Sequence, residues 1–174
     1  MKAEITVFGD ICPTKDTQKA IESGDNFSVL GSCQTLLDSS DFSLCNVEFP
    51  IIDNGVPALK TGPVFSSKTS SIDFFTNAGF DLLSLANNHI KDCGEAGVIS
   101  TIAVADAAGI PTVGAGNNIQ EAKNSYTKEI NGIKIGVMAF AEQEFNTAST
   151  TSAGANFLDL YTEFERIKNF KATV

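Results

Sequence analysis

The sequence predicts an α/β protein with a mixed sheet, and three observations indicate this class. Strand-like and helix-like segments alternate up to about residue 113, a pattern that is typical of βαβ units. The run 82–86 is almost continuously apolar, as expected for a strand that is covered on both faces. Asn131-Gly132 separates two strand-like runs, which predicts a hairpin and hence at least one antiparallel pair.

The individual elements follow from the periodicity and from the residues that punctuate it. Strands are predicted at 3–8, 41–47, 111–113, 125–130 and 133–140, and a further strand is predicted to end at Ala86. Helical segments are predicted near 17–22, 33–37, 70–78, 92–108 and 158–170, the last with an apolar face made of Leu160, Tyr161, Phe164 and Ile167. Between them, 53–67 carries Asn-Gly and Gly-Pro pairs and is predicted to be rich in turns.

Two capping boxes are predicted at helix starts. Ser70 precedes Asp73 by three residues, and Asp92 precedes Glu95 by the same spacing. This spacing favours a helix-capping role for Asp92 over a place in a functional site, although Asp92 lies close to the site residues in sequence.

Size and charge exclude several classes of function. A chain of 174 residues fits a single domain, and its 21 acidic against 12 basic residues give a net charge of −9. Such a chain repels nucleic-acid backbones, so no nucleic-acid partner is expected. No segment resembles a signal peptide or a transmembrane helix, and the sequence predicts a cytoplasmic protein, with association with the cell envelope as the alternative.

Polar residues follow three of the predicted strands directly. Asp10 follows the first, Glu48 the second, and Asn88 and His89 the third; His89 is the only histidine. Because ligands bind outside the carboxyl ends of the strands in open α/β sheets, these four side chains are expected to meet at one rim. Carboxylate, amide and imidazole groups together suit Mg²⁺, Mn²⁺, Fe or Zn²⁺.

Each of these residues also has a purely structural interpretation. Asp10 can cap the following turn, Glu48 can be a solvated strand end, and Asn88 and His89 can cap loop backbone groups. Cys12 has no histidine near it in sequence and no sign of thiolate activation. The metal hypothesis therefore rests on the convergence of several strand ends and not on any one residue.

Three segments together resemble the CapA family of bacterial capsule synthesis, or poly-gamma-glutamate biosynthesis, proteins. They are Gly9-Asp10, Asn46-Val47-Glu48-Phe49-Pro50, and the run from Gly79-Phe80-Asp81 through Ala86-Asn87-Asn88-His89-Ile90-Lys91-Asp92-Cys93-Gly94. That family is similar to the calcineurin-like metallophosphoesterases, which implies an α/β/β/α sandwich and a site for two divalent metals. By the same resemblance Asp10, Glu48 and Asn88 are metal ligands, and His89 is the acid or the phosphate-orienting residue.

The resemblance is also incomplete in ways that bear on activity. Glu48 stands where the phosphoesterases usually carry an Asp, and Cys12 stands where they often carry a metal-binding His. The further histidines that family members carry in their C-terminal half have no counterpart here. Residues 1–174 are thus expected to form one truncated domain, the N-terminal half of the sandwich, which binds metal weakly and hydrolyses little alone.

Two functions from different classes remain open at this point. One is metal-dependent hydrolysis of a phosphoester or a related linkage in capsule or polyglutamate biosynthesis. The other is a non-catalytic assembly or export role that binds an anionic surface polymer. A homodimer is a further expectation, since an open sheet edge can pair with a second chain.

Overall fold

A four-stranded parallel sheet forms the centre of the protein. The computed structural model describes residues 1–171 and 173–174. Its central strands are β1 (Ile5–Ile11), β2 (Phe42–Val47), β3 (Leu82–Ser84) and β4 (Thr112–Val113), and their order in the sheet is their order in the chain. All four strands lie where the sequence predicts them.

The first strand is longer than predicted and contains an irregularity. Its partners on β2 run from Ile5↔Phe42 to Val7↔Leu44 and resume at Asp10↔Asn46, so β1 holds one extra residue at this point. Such a bulge re-aims the side chains that follow it. Asp10 therefore lies inside the strand rather than after it, and it is paired with Asn46.

Five short and medium helices and one face of the sheet enclose the larger core. The helices are α1 (Gln18–Glu22), α2 (Asn26–Leu30), α3 (Gln34–Ser39), α4 (Ile72–Ala78) and α5 (Gly94–Ala107). Buried side chains of the sheet such as Val47, Leu83 and Leu85 pack with Phe75 and Val98 of these helices. A chain of 174 residues can bury a core of this kind within a single domain.

The predicted capping box at Ser70 is wrong. A 3₁₀ turn over Thr69–Ser71 precedes α4, and the Ser70 hydroxyl donates a hydrogen bond to the carbonyl of Glu22 instead of capping the helix. The predicted end of this helix is confirmed, since Gly79 adopts the left-handed conformation with φ +87°.

The predicted hairpin covers the opposite face of the sheet. Strands β6 (Tyr126–Ile130) and β7 (Ile133–Val137) pair antiparallel around Asn131-Gly132. Apolar residues of the hairpin pack on Phe42, Leu82 and Val113. The hairpin is not hydrogen-bonded to the four strands, so parallel and antiparallel pairing lie in separate sheets rather than in the one mixed sheet expected.

The last helix, α7 (Leu160–Lys171), lies on the outer side of the hairpin. The ring of Phe170 stands so close to Gly136 of β7 that a Cβ on that glycine would be 2.5 Å from it. Helices, parallel sheet, hairpin and α7 thus form successive layers, an arrangement consistent with the metallophosphatase-like α/β/β/α fold. The predicted apolar face of the helix is not buried; its members are Leu160, Tyr161, Phe164 and Ile167, all exposed.

Two small elements complete the described structure. Strands β5 (Ala115–Gly116) and β8 (Gly154–Ala155) pair antiparallel next to the short helix α6 (Ile119–Ala122). The predicted turn-rich segment 53–67 contains no helix, and it folds back so that Ile51 forms a bridge with Ser67. In the part of the chain that the structure describes, no helix combines the length and apolarity needed to cross a bilayer.

Candidate functional site

Polar side chains at the carboxyl ends of the first three strands form one connected group. Asn46 of β2 donates a hydrogen bond of 2.8 Å from Nδ2 to Oδ1 of Asp10 on β1. Asn87, which follows β3, donates from its own Nδ2 to Asn46 Oδ1 at 3.1 Å and to the Val47 carbonyl at 2.8 Å. The predicted rim is therefore present, with Asn46 and Asn87 as members that the sequence analysis did not select.

Glu48 stands directly beside Asp10 at this rim. Its backbone N–H donates to the carbonyl of Ile11 at 3.0 Å, which places it at the end of β2 next to β1. Burial raises the pKa of Glu48, and the neighbouring Asp10 carboxylate raises it further, while His89 acts in the opposite direction. Two carboxylates this close favour a proton or a cation between them.

Asn87 also shapes the turn that presents His89. Its Oδ1 accepts a hydrogen bond of 3.0 Å from the backbone N–H of His89, and its own backbone carbonyl accepts one of 2.8 Å from Nδ2 of Asn146. Asn87 and Asn146 are both buried. The Asn-Asn-His triplet is thus held from two sides, and its first asparagine has a structural role.

The imidazole of His89 is buried and forms a pair with Asp92. Nδ1 of His89 lies 2.7 Å from Oδ2 of Asp92, whose side chain is completely buried. At this distance Nδ1 carries the proton and donates it to the carboxylate, because two acceptors would repel each other there. None of the described residues forms a hydrogen bond with Nε2 of His89, so this atom can contact a ligand.

The predicted capping role of Asp92 is wrong. Cys93 is the residue that precedes α5, and its side chain forms no capping hydrogen bond. The carboxylate of Asp92 faces inward, towards the segment 53–67. The spacing between Asp92 and Glu95 carries no information about such a long-range contact. A carboxylate that is fully removed from water needs charged or hydrogen-bonding partners, and Asp92 finds several.

The partners of Asp92 come from a segment about thirty residues earlier in the chain. Lys60 Nζ lies 2.5 Å from Oδ1 of Asp92, and the backbone N–H of Phe65 donates to Oδ2 at 2.8 Å. The backbone N–H of Ala58 donates to the Asp92 carbonyl at 2.7 Å. The ring of Phe65 also packs on the imidazole of His89 with 4.6 Å between centroids. Through these contacts Asp92 fixes the irregular segment over the site.

Asn88 is an exposed residue of the turn that carries His89. It lines a cavity of about 410 Å³ together with His89 and Lys60. No hydrogen bond among the described residues joins its side chain to Asp10 or Glu48. The structure thus brings Asp10 and Glu48 together with His89 nearby, and it places Asn88 in the lining of the cavity beside His89.

Cys12 is not a nucleophile at this site. Burial and the nearby carboxylates of Glu48, Asp10 and Asp92 raise the pKa of its thiol to about 11. It is therefore protonated at neutral pH, which confirms the expectation that the thiolate is not activated.

The oxygen-rich rim fits a hard divalent cation better than a soft one. Asp10 and Glu48 supply carboxylates, which are ligands that Mg²⁺ and Mn²⁺ prefer. The amide oxygens of Asn46 and Asn87 already accept hydrogen bonds from Asn87 and from the backbone of His89. His89 offers only Nε2, because Nδ1 is bound to Asp92. Within residues 1–171 and 173–174, no three side chains of His, Cys, Asp or Glu are placed to enclose a metal. The fit is thus to a cation held by few protein ligands.

Comparison with known proteins identifies the family. Residues 4–170 match the model of the bacterial capsule synthesis protein family, PGA_cap. The chain belongs to this family. The capsule biosynthesis protein CapA of Bacillus anthracis is 27% identical to it over 144 residues, 81% of this chain and 35% of that protein. The PGA biosynthesis protein CapA of Bacillus subtilis (strain 168) is 28% identical over 138 residues, 77% of this chain and 36% of that protein.

The capsule synthesis family match confirms the resemblance drawn from the sequence. It covers the rim, the Asn-Asn-His turn and the buried Asp92 alike. This chain spans about a third of the length of the two CapA relatives. What those longer proteins do is therefore carried to this chain only as a proposal.

Proposed function

We propose that this capsule synthesis family member carries a metal-dependent hydrolytic site for a phosphoester or a related linkage in capsule or polyglutamate biosynthesis. The observation that supports it is the pairing of a buried His89–Asp92 couple with the adjacent carboxylates Asp10 and Glu48. Carboxylates that can hold a cation, next to an oriented imidazole that can move a proton, suit hydrolysis with a bound cation.

In this proposal Asp10 and Glu48 hold the cation and Asn88 contributes an amide oxygen. When bound, such a cation would withdraw electrons from a phosphoryl oxygen and make a water molecule easier to deprotonate. The raised pKa of Glu48 agrees with a position where positive charge is needed. The metal content of the purified protein will give the number of cations that each chain holds.

His89 is proposed to move a proton at Nε2. Asp92 fixes the ring orientation through Nδ1 and compensates for the positive charge of the ring when Nε2 is protonated. Phe65 covers the ring and excludes water from one face. A leaving-group oxygen near Nε2 would thus receive its proton from a ring that is already oriented.

Metal content and turnover test this proposal together. After dialysis against Mn²⁺ or Zn²⁺, elemental analysis is compared for the wild type, Asp10→Asn and the control Asp106→Asn, an exposed carboxylate on α5. We expect metal in the wild type and the control and its loss in Asp10→Asn. We expect slow hydrolysis of bis-p-nitrophenyl phosphate by this chain, and its rate should fall about 10²- to 10⁴-fold in His89→Gln.

The longer CapA relative from Bacillus subtilis is the reference in both assays. We expect it to bind metal more tightly than this chain. Equal metal content in the wild type and Asp10→Asn, with no turnover in either protein, would contradict the hydrolytic proposal.

The second candidate is a non-catalytic assembly component that binds an anionic polymer. The sparse set of metal-ligating side chains favours it. It predicts that binding of poly-gamma-glutamate survives both Asp10→Asn and His89→Gln, whereas the hydrolytic proposal predicts that Asp10→Asn weakens binding of an anionic substrate through loss of the cation.

A further inference from the structure

The cavity beside His89 has the size and lining of a binding pocket. Its volume of about 410 Å³ falls in the range of small-molecule sites. Its lining includes the apolar side chains of Leu59, Pro63 and Phe145. It also includes polar groups, among them those of Lys60 and Thr61, next to the imidazole of His89. A pocket built in this way can hold a polar group and the short aliphatic stem that carries it.

Lys60 presents a buried cation to this cavity. Its side chain is only 11% exposed, so its charge is weakly screened by solvent. One N–H of the ammonium is bound to Asp92. Nδ1 of His89 lies 3.2 Å away but already donates its own proton to Asp92, so it cannot accept a second hydrogen bond. The ammonium therefore retains hydrogen-bonding capacity towards the cavity, next to the ring of Phe145 at 5.1 Å.

Hydrogen-bond donors dominate the polar lining. The hydroxyl of Thr61 and the amide of Asn88 can each donate to a ligand. Among the described lining residues, Lys60 is the one permanent cation and Glu144 the one carboxylate, and Glu144 is exposed at the edge. The lining is thus suited to a group that accepts several hydrogen bonds, and a negatively charged group gains a charge-assisted bond from the ammonium that Asp92 also binds.

We infer that this cavity is a subsite for an anionic group of the substrate, a carboxylate or a phosphoryl group on a short aliphatic stem, and that Lys60 is its specificity-determining residue. The ammonium binds the anionic oxygens, Thr61 adds a neutral hydrogen bond, and Phe145 packs on the stem. Its place in a reaction rests on the proposed function, but the binding itself requires neither metal nor turnover.

The test measures binding in the absence of metal. Calorimetric titrations in EDTA use γ-linked tetraglutamate in one arm and inorganic phosphate in the other, so that the two sources of the anion are told apart. We expect Lys60→Met to weaken the preferred probe at least about 10-fold, because a charge-assisted hydrogen bond is lost. Thr61→Val should weaken it about 5-fold, and Lys15→Met, which removes the charge of an exposed lysine, should leave it unchanged.

The design separates this inference from folding and from the proposed function. Lys60→Met removes the ammonium that binds the buried Asp92, so this variant can fail to fold. Lys60→Arg and Thr61→Val both keep a positive charge near Asp92. If the Met variant does not fold, their anion affinities test the inference instead. The inference is overturned if wild type binds neither probe at millimolar concentration, or if folded variants at Lys60 and Thr61 bind like Lys15→Met. If these variants keep metal-dependent hydrolysis and bind the anion as wild type does, the subsite inference is overturned and the proposed function is not. A lack of turnover would leave the subsite inference unaffected.

Discussion

Asp92 is the residue at which local and long-range information disagree most. Its spacing to Glu95 is that of a helix cap, but its carboxylate is buried against Lys60, Phe65 and His89. Asn and Asp are nearly equivalent as helix caps, whereas they differ greatly as partners of a buried ammonium. One substitution therefore distinguishes the two roles.

Asp92→Asn should destabilise the protein by about 3 kcal/mol, because it leaves Lys60 as a buried charge without its counter-ion. Urea unfolding monitored by circular dichroism measures the change. Asp106→Asn on the exposed face of α5 is the matched control and should stay within about 0.5 kcal/mol of wild type. If Asp92→Asn lowers the free energy of unfolding no more than the control does, the result would support a capping role for Asp92.

Glu48 provides a prediction about pH in metal-free protein. Its pKa is raised in the folded state, mainly by burial and then by Asp10. A raised pKa means that the related stability is fully present below the pKa of the unfolded chain and is lost as pH rises through the folded pKa. Glu48→Gln resembles the protonated form and should therefore melt above wild type at pH 8.

The control for this experiment is the pH series itself. The difference in melting temperature between Glu48→Gln and wild type, measured in EDTA, should shrink as pH falls below the ordinary range of a glutamate. A constant difference from pH 4 to pH 8 would show that Glu48 contributes no linked proton.

At the scale of elements, sequence predicts most where the signal is local. The hairpin follows from Asn131-Gly132, and the end of α4 follows from Gly79, because each signal lies within the turn that it forms. The strands themselves are predicted for the same reason, but their ends are not, since β1 extends to Ile11 and β3 ends at Ser84, so that Asp10 lies within its strand. Lys60 and Phe65 were missed because they lie in an irregular segment and reach Asp92 from about thirty residues away.

Gly114 joins β4 to β5 in a position that only glycine tolerates. It has φ +88°, and a Cβ there would lie 2.6 Å from Cβ of Ala86 and 2.8 Å from Cβ of Ala139. Gly114→Ala should cost about 3 kcal/mol, since left-handed strain and overlap add. Gly109→Ala is the control: with φ +76° and open space around it, only the strain applies, about 1–2 kcal/mol. If urea unfolding shows the same loss of stability for Gly114→Ala and Gly109→Ala, steric overlap at position 114 contributes nothing.

At the scale of the whole molecule, the net charge of −9 opposes compactness. Raising NaCl from 10 to 200 mM should therefore raise the melting temperature at pH 7.5, because the Debye length falls to below about 10 Å. Near the isoelectric point of about 4.5 the effect should vanish. Scanning calorimetry at both pH values checks this, and the same increment at both would point to an ion-specific effect instead.

The expected homodimer remains a prediction at this scale. Among the described residues β1 is an edge strand that pairs with β2 alone, and its Ile5 and Val7 are exposed. Open edges of this kind pair readily with other chains. Light scattering over a range of protein concentrations should show a dimer, and a monomer at every concentration would contradict it.

The extra residue in β1 has a consequence for how this chain can change over time. Successive side chains of a strand alternate between its faces, so regular pairing of all residues after Val7 would place Gly9 opposite Asn46 and Asp10 opposite Val47, in the apolar core. Ile11 would then face the rim in place of the carboxylate. Removing Gly9 would also make the pairing regular, but it would leave Asp10 opposite Asn46. Relatives are therefore expected to carry either this bulge or a strand that is one residue shorter between Val7 and Asp10, since both arrangements keep the aspartate at the rim.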